Sequence, residues 1–186
     1  SQDINSIGFM LCFRDSLFII LDNLNKVINI FTDQLLTPYT NTNDILMLSY
    51  THGQPATPTH FSKEMLIYKT RLYTIYNEIK DFINTGLTVK FGGATGEMNA
   101  LNFALPDTNW SIWSDHFITL FNTDNTKFIR TQYTNQCDNY DSIIKVLYMI
   151  KRMLHILEHL RGNLWLYIHR EYFIQKNIKN EIGSST

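Results

Sequence analysis

The residues best able to do chemistry lie in a few short segments. Thr51-His-Gly-Gln-Pro-Ala-Thr-Pro58 holds a histidine between a threonine and a glycine. Imidazole exchanges a proton near neutral pH more readily than other side chains, so His52 is a candidate general acid. Gln136, in Tyr133-Thr-Asn-Gln136, can bind a carboxylate or an amide through its NH₂ group. Ser1 and Thr51 can donate hydroxyls to a carboxylate or phosphate, with a cap or turn role as the alternative for each. Lys90 and Asn99 flank the Gly-rich run Phe91-Gly-Gly-Ala-Thr-Gly96 and are candidates for substrate binding, with a structural role as the alternative. That run is neither a Walker motif, since no Gly-Lys-Ser/Thr follows, nor a dinucleotide fingerprint. Ser184 and Ser185 offer two further hydroxyls, although Gly-Ser-Ser by residue type alone reads as a flexible tail. His155 and His159, four residues apart, could hold a metal from one helix face. No third ligand stands in register, so an exposed polar face is the simpler reading and no metal is expected.

Long helices must position these segments. Leu17, Leu21, Leu24, Ile28, Phe31 and Leu35 follow a 3/4 spacing. So do Met65, Tyr68, Leu72, Ile75, Ile79 and Phe82, and then Ile143, Leu147, Ile150, Leu154 and Leu157, with Leu164 and Ile168 continuing the register. Each series puts one apolar stripe on a helix, and the fold class expected is an all-α bundle of long helices. The first helix should cover about residues 4–36, stopping at Thr37-Pro38. The third should be capped by Asp141 or Asp138 and run to about Lys176. Apolar residues off the stripes, among them Phe18, Ile19, Ile20 and Met149, suggest a larger bundle or contacts between subunits. Trp110, Trp113 and Trp165 read as core or interface packing. Two prolines and one glycine exclude regular helix across 51–58, leaving a short shaped loop.

Composition narrows the function classes. With 44% apolar and 18% charged residues among 186, the chain is globular. A formal charge of -1 without clustered Lys or Arg argues against nucleic acid and against an anionic membrane as partner. No uninterrupted apolar stretch is long enough to span a bilayer. Cys12 and Cys137 form no metal spacing and read as reduced thiols, which fits a cytoplasmic protein. The ends do not look like domain boundaries, so residues 1–186 are expected to be one central helical domain of a longer chain.

Five segments in order resemble the fumarase/aspartase superfamily, in the branch that acts on adenylosuccinate. They are Ser1-Gln-Asp-Ile-Asn5, Thr51 to Pro58, Lys90 to Ala100, Tyr133 to Gln136 and Glu181-Ile-Gly-Ser-Ser-Thr186, and together they cover essentially the whole chain. Gln2 replaces the family's Glu, and Asp138-Asn-Tyr140 departs from the usual Glu-Pro-His. The second half of the signature loop, the upstream segment with the family's second active-site His, and the domain bearing phosphate-binding Arg residues are not in the sequence. The resemblance implies cleavage of adenylosuccinate to AMP and fumarate, and of SAICAR to AICAR and fumarate, with no cofactor. It implies His52 as general acid, Ser184 as base with Ser185 as fallback, and Gln136 as substrate ligand. It further implies a homotetramer whose active sites take residues from three subunits, so that His52, Gln136 and Ser184 need not meet within one chain. A sister lyase acting on argininosuccinate or aspartate is the alternative within enzymes. A helical oligomerisation module without catalysis is the alternative outside them.

Overall fold

The computed structural model describes residues 2–39, 44–174, 176 and 178–179. Three long helices dominate: α1 (Gln2–Ile30), α2 (Phe61–Thr85) and α5 (Asp141–His169). Two short helices, α3 (Asn99–Ala104) and α4 (Trp110–Thr119), lie between α2 and α5. A hairpin of β1 (Leu46–Thr51) and β2 (Gln54–His60) precedes α2, and β3 (Leu87–Val89) pairs in parallel with β4 (Phe128–Arg130). The all-α reading therefore stands, with two small two-stranded ribbons added at the helix ends.

α2 lies in the middle, with α1 on one side and α5 on the other. It buries Phe61, Met65, Tyr68, Leu72, Ile75, Ile79 and Ile83, the expected stripe with Phe61 added before it and Ile83 in place of Phe82, which is only half-buried. α1 answers with Ile7, Met10, Leu17, Leu21, Leu24 and Ile28, and Phe31 follows them into the core. Past Ile30 the helix widens into a π-helical stretch, Phe31–Leu36, then a 3₁₀ turn, Thr37–Tyr39. The expected stop at Thr37-Pro38 is thus a loosening of the helix followed by its end.

α5 departs from its expected register. Its buried residues are Ser142, Val146, Met149 and Ile156, whereas Leu147 and Leu154 are 52% and 57% exposed. Both sets have helical spacing because α5 is apolar on more than one face, and α2 takes only one of them. Met149, expected off the stripe, is in the core, while Phe18 and Ile19 on α1 are exposed and Ile20 is half-buried. Trp165 is likewise largely exposed in the single chain, whereas Trp113 is partly covered by Phe91, Trp110 and Phe117. The N-cap of α5 is Tyr140 in a left-handed conformation, φ 60°, without a side-chain cap; Asp141 is already in the first turn. The helix stops at His169, where Arg170 forms the C-cap and Glu171 turns left-handed at φ 59°, short of Lys176.

One further expectation changes. Charged residues interrupt α1, yet Gln2–Leu36 as one continuous helix is long and apolar enough to cross a membrane. Part of that apolarity is the core face against α2; the rest is exposed at Ile4, Phe9, Ile19 and Ile30.

Candidate active site

Thr51 to Pro58 is a hairpin tip rather than an open loop. Thr51 pairs with Gln54, leaving His52 and Gly53 as a two-residue turn with φ of 53° and 74°. Positive φ at both positions is the turn that matches the twist of hairpin strands, and it favours Gly or Asn over His. Pro55 and Pro58 fit because β2 is an edge strand and needs no further donors there. Polar and proline residues along β2 hide the period-2 pattern that would mark a strand, which is why the sequence reads as loop. The tip is held from below. The Tyr172 hydroxyl donates to the Leu48 carbonyl at 3.1 Å, and the Arg170 guanidinium lies 3.7 Å over the Tyr50 ring. Asp44 accepts from both the amide and the hydroxyl of Ser62, capping α2 beside the hairpin. The Ser62 hydroxyl first, and then its amide, hold the Asp44 carboxyl below its ordinary range. Thr51 and His52 are exposed, and no hydrogen bond engages the His52 ring among the described residues.

The opposite end of α2 carries the other candidates. β3 leads into the Gly-rich run, which folds around Asp3 of α1: Gly92 N–H donates to Oδ1 at 3.2 Å and Gly93 N–H to Oδ2 at 3.0 Å. Lys90 Nζ donates to the same carboxylate and to the Gly93 carbonyl at 2.6 Å. Burial pushes the Asp3 carboxyl up, but the Lys90 ammonium and the two amides outweigh it and hold the group below its ordinary range. Lys90 is 1% exposed, so its ammonium serves this internal ion pair and does not face solvent as a substrate ligand would in this chain. Asn99 opens α3, and its Nδ2 donates to Thr95 Oγ1 at 3.2 Å. Gln136 is exposed in the turn before α5. The two segments touch where Gly96 meets Thr134, and beside that contact they border a polar cleft of about 400 Å³ lined by Thr95 and Glu97 on one side and Tyr133 and Asn135 on the other.

Lys90, Asn99 and Gln136 thus share one end of the bundle, and Thr51 and His52 occupy the other. α2 lies between them, and its 25 residues span about 37 Å. No single small substrate bridges that length within one chain. Ser1, Ser184 and Ser185 lie outside the described residues. His155 and His159 are both exposed, and His159 Nδ1 faces Arg71 at 3.4 Å; among the described residues no cluster could hold a metal ion.

Sequence reasoning missed the polar residues that hold this end together. Ser6 and Asp138 are buried and hydrogen-bonded at 2.7 Å across 132 positions. Arg130 is also buried, and it donates to Asp115 at 2.6 Å and to Ser111 at 2.8 Å, fastening β4 to α4. Isolated Ser, Asp and Arg residues carry no local signal; their partners are set by the chain's return path.

A family described as lyase matches residues 1–186, the whole chain. Curated relatives agree in extent. The chain is 35% identical to a Dictyostelium discoideum protein named adenylosuccinate lyase, over all of its own length and 38% of the relative's. It is 36% identical to the protein of that name from Buchnera aphidicola of Schizaphis graminum and 34% to that of Escherichia coli K12, again over the whole chain and 38% of each relative. The chain therefore spans a little over a third of the relatives' length. The motif order, the long-helix bundle and the match over every residue agree, and the chain belongs to the lyase family of the helical fumarase/aspartase superfamily.

Proposed function

We propose that this chain is the central helical domain of a lyase that cleaves the C–N bond of adenylosuccinate to give AMP and fumarate, and of SAICAR to give AICAR and fumarate. The observation that carries the reading is His52 held at the tip of a braced hairpin, exposed and free of competing hydrogen bonds among the described residues, within a chain whose whole length matches proteins named adenylosuccinate lyase. In the reaction a base takes a proton from the carbon beside a carboxylate. The electron pair then expels the amine, which leaves with a proton from an acid. His52 is the acid and Ser184 the base, with Ser185 in reserve. Gln136 and the hydroxyls of Ser1 and Thr51 hold the substrate, with Asn99 beside the cleft. The protein's residues supply all the acid–base chemistry, without metal or cofactor.

The 37 Å or so of α2 between His52 and Gln136 supports an active site shared between copies. The exposed apolar faces of α1 and α5 supply the surface for a homotetramer: Phe9 and Ile19 on one, Leu147, Leu154 and Trp165 on the other. Assembly then brings the hairpin tip of one subunit to the Gly-rich end of another. The test is fumarate release by the complete protein, with adenylosuccinate and argininosuccinate offered separately. Release from adenylosuccinate alone, abolished in His52→Ala, is the expected result. No release from either substrate by a folded tetramer would sink the reading and leave a helical assembly module.

A further inference from the structure

Gln136 is exposed, yet the backbone on both sides of it is fixed. Two residues before it, the Thr134 carbonyl packs so closely on Gly96 that a Cβ at Gly96 would lie 1.9 Å from it. Two residues after it, the buried Asp138 carboxylate accepts from the Ser6 hydroxyl at 2.7 Å. The same Ser6 oxygen accepts the Lys90 amide at 2.9 Å, at the root of the Gly-rich run. One hydroxyl therefore ties three segments distant in sequence: the start of α1, the Gly-rich run and the turn that carries Gln136. Asp138 has no cation beside it among the described residues, since the Lys90 ammonium goes to Asp3. A buried carboxylate without a cation is a costly way to fill space, and an apolar residue would pack there more cheaply. What the carboxylate provides is direction, because it accepts from Ser6 and from the Tyr140 amide at 3.4 Å on the far side of the turn.

We propose that Ser6 and Asp138 are positioning residues for Gln136, setting its amide against the carboxylate or amide of the substrate through the Ser6 bridge to the Gly-rich run. The proposal rests on Gln136 being a substrate ligand, and its test separates the two claims. In the complete protein, Ser6→Ala should raise KM for fumarate release about tenfold more than it lowers kcat, the equivalent of one lost hydrogen bond to a charged group. Ser6→Thr, which keeps the hydroxyl, should recover most of the loss. Combining Ser6→Ala with Gln136→Ala should cost no more than Gln136→Ala alone, because Ser6 acts through that side chain. Losses that multiply in the double variant would overturn the proposal. Amide hydrogen exchange supplies a readout that needs no turnover. Residues 133–139 should exchange faster in both Ser6→Ala and Asp138→Asn while the α2 amides stay protected, and unchanged exchange at 133–139 would overturn the proposal. A wild-type protein that turns over neither substrate would remove the proposed reaction, and the exchange result would still decide whether Ser6 fixes the turn.

Discussion

Replacing Gly96 by alanine puts the approach of the two loops to a quantitative test. Gly96 has φ +86°, and an added Cβ would stand 1.9 Å from the Thr134 oxygen and 2.9 Å from its carbon. Real Cβ contacts below 3.0 Å essentially never occur, so a backbone carbonyl, not a flexible side chain, has to retreat by about 1 Å. Two costs combine. A left-handed backbone costs an L-residue about 1–2 kcal/mol. Overpacking against fixed atoms adds about 1–3 kcal/mol. Gly93 separates them, because it has φ +75° but its nearest contact would be the Met98 Cα at 4.0 Å. Gly93→Ala bears the backbone cost alone. For a chain of this size 1 kcal/mol moves Tm by roughly 2–4 °C, so Gly93→Ala should lower Tm by about 2–8 °C and Gly96→Ala by about 4–20 °C. Circular dichroism melting of the two variants beside wild type reads the difference. Equal shifts would refute the claim that the Gly-rich run and the Thr134 carbonyl are in hard contact. In the complete protein the displaced carbonyl lies two residues from Gln136, and a shift of about 1 Å there should lower kcat/KM on the order of 10²-fold.

Other substitutions have distinct signatures. Leu72→Ala, at a position with 0% exposure in the middle of α2, should cost about 2–5 kcal/mol in chemical denaturation. Leu154→Ala on the outer face of α5 should leave the single chain's stability within about 0.5 kcal/mol while weakening any tetramer in sedimentation. Asp3 titrates below its ordinary 3.8 in the folded state. Its contribution is therefore full above about pH 4 and is lost as pH falls through the lowered value. The stability gap between wild type and Asp3→Asn should close on acidification, and a gap that widens would contradict the assignment. Arg130 is 4% exposed and its partner Asp115 54% exposed, so removing either end is not equivalent. Asp115→Ala strands a buried guanidinium with only Ser111 and should cost roughly 3 kcal/mol. Arg130→Met leaves a carboxylate that water can reach and should cost roughly 1 kcal/mol by the same measure.

The stripes of α1 and α2 were legible because Leu17, Leu21, Leu72 and Ile75 belong to long unbroken runs of 3/4 spacing, even though α1 also carries exposed apolar residues such as Phe9, Phe18 and Ile19. α5 was legible as a helix but not in its register. Leu147 and Leu154 keep as good a period as Val146 and Met149, and only the shape of α2 selects between them. The hairpin was hidden by Pro55, Pro58 and a histidine in a turn position where glycine or asparagine is the usual sign. α4 carries Trp110 edge-on to Trp113 and Trp113 stacked on Phe117, a pattern too short to stand out from the loops around it. At the site, His52 and Gln136 could be singled out by type and motif. The Ser6–Asp138 bond and the internal engagement of Lys90 depend on which segments the fold returns to one place, and no local pattern encodes that.

Position 52 also bears on how such a protein can change over time. A left-handed turn residue with a full side chain is less comfortable than glycine or asparagine, and nothing else in the hairpin needs an imidazole. A population screened only for heat resistance should therefore drift to glycine or asparagine at 52, gaining stability as it gives up the proton donor. A population screened for turnover should hold histidine there and recover the lost stability elsewhere, for instance in the hairpin strands or at the clamp from Tyr172. Sequencing position 52 after each kind of screen would show whether this turn is kept for folding or for chemistry.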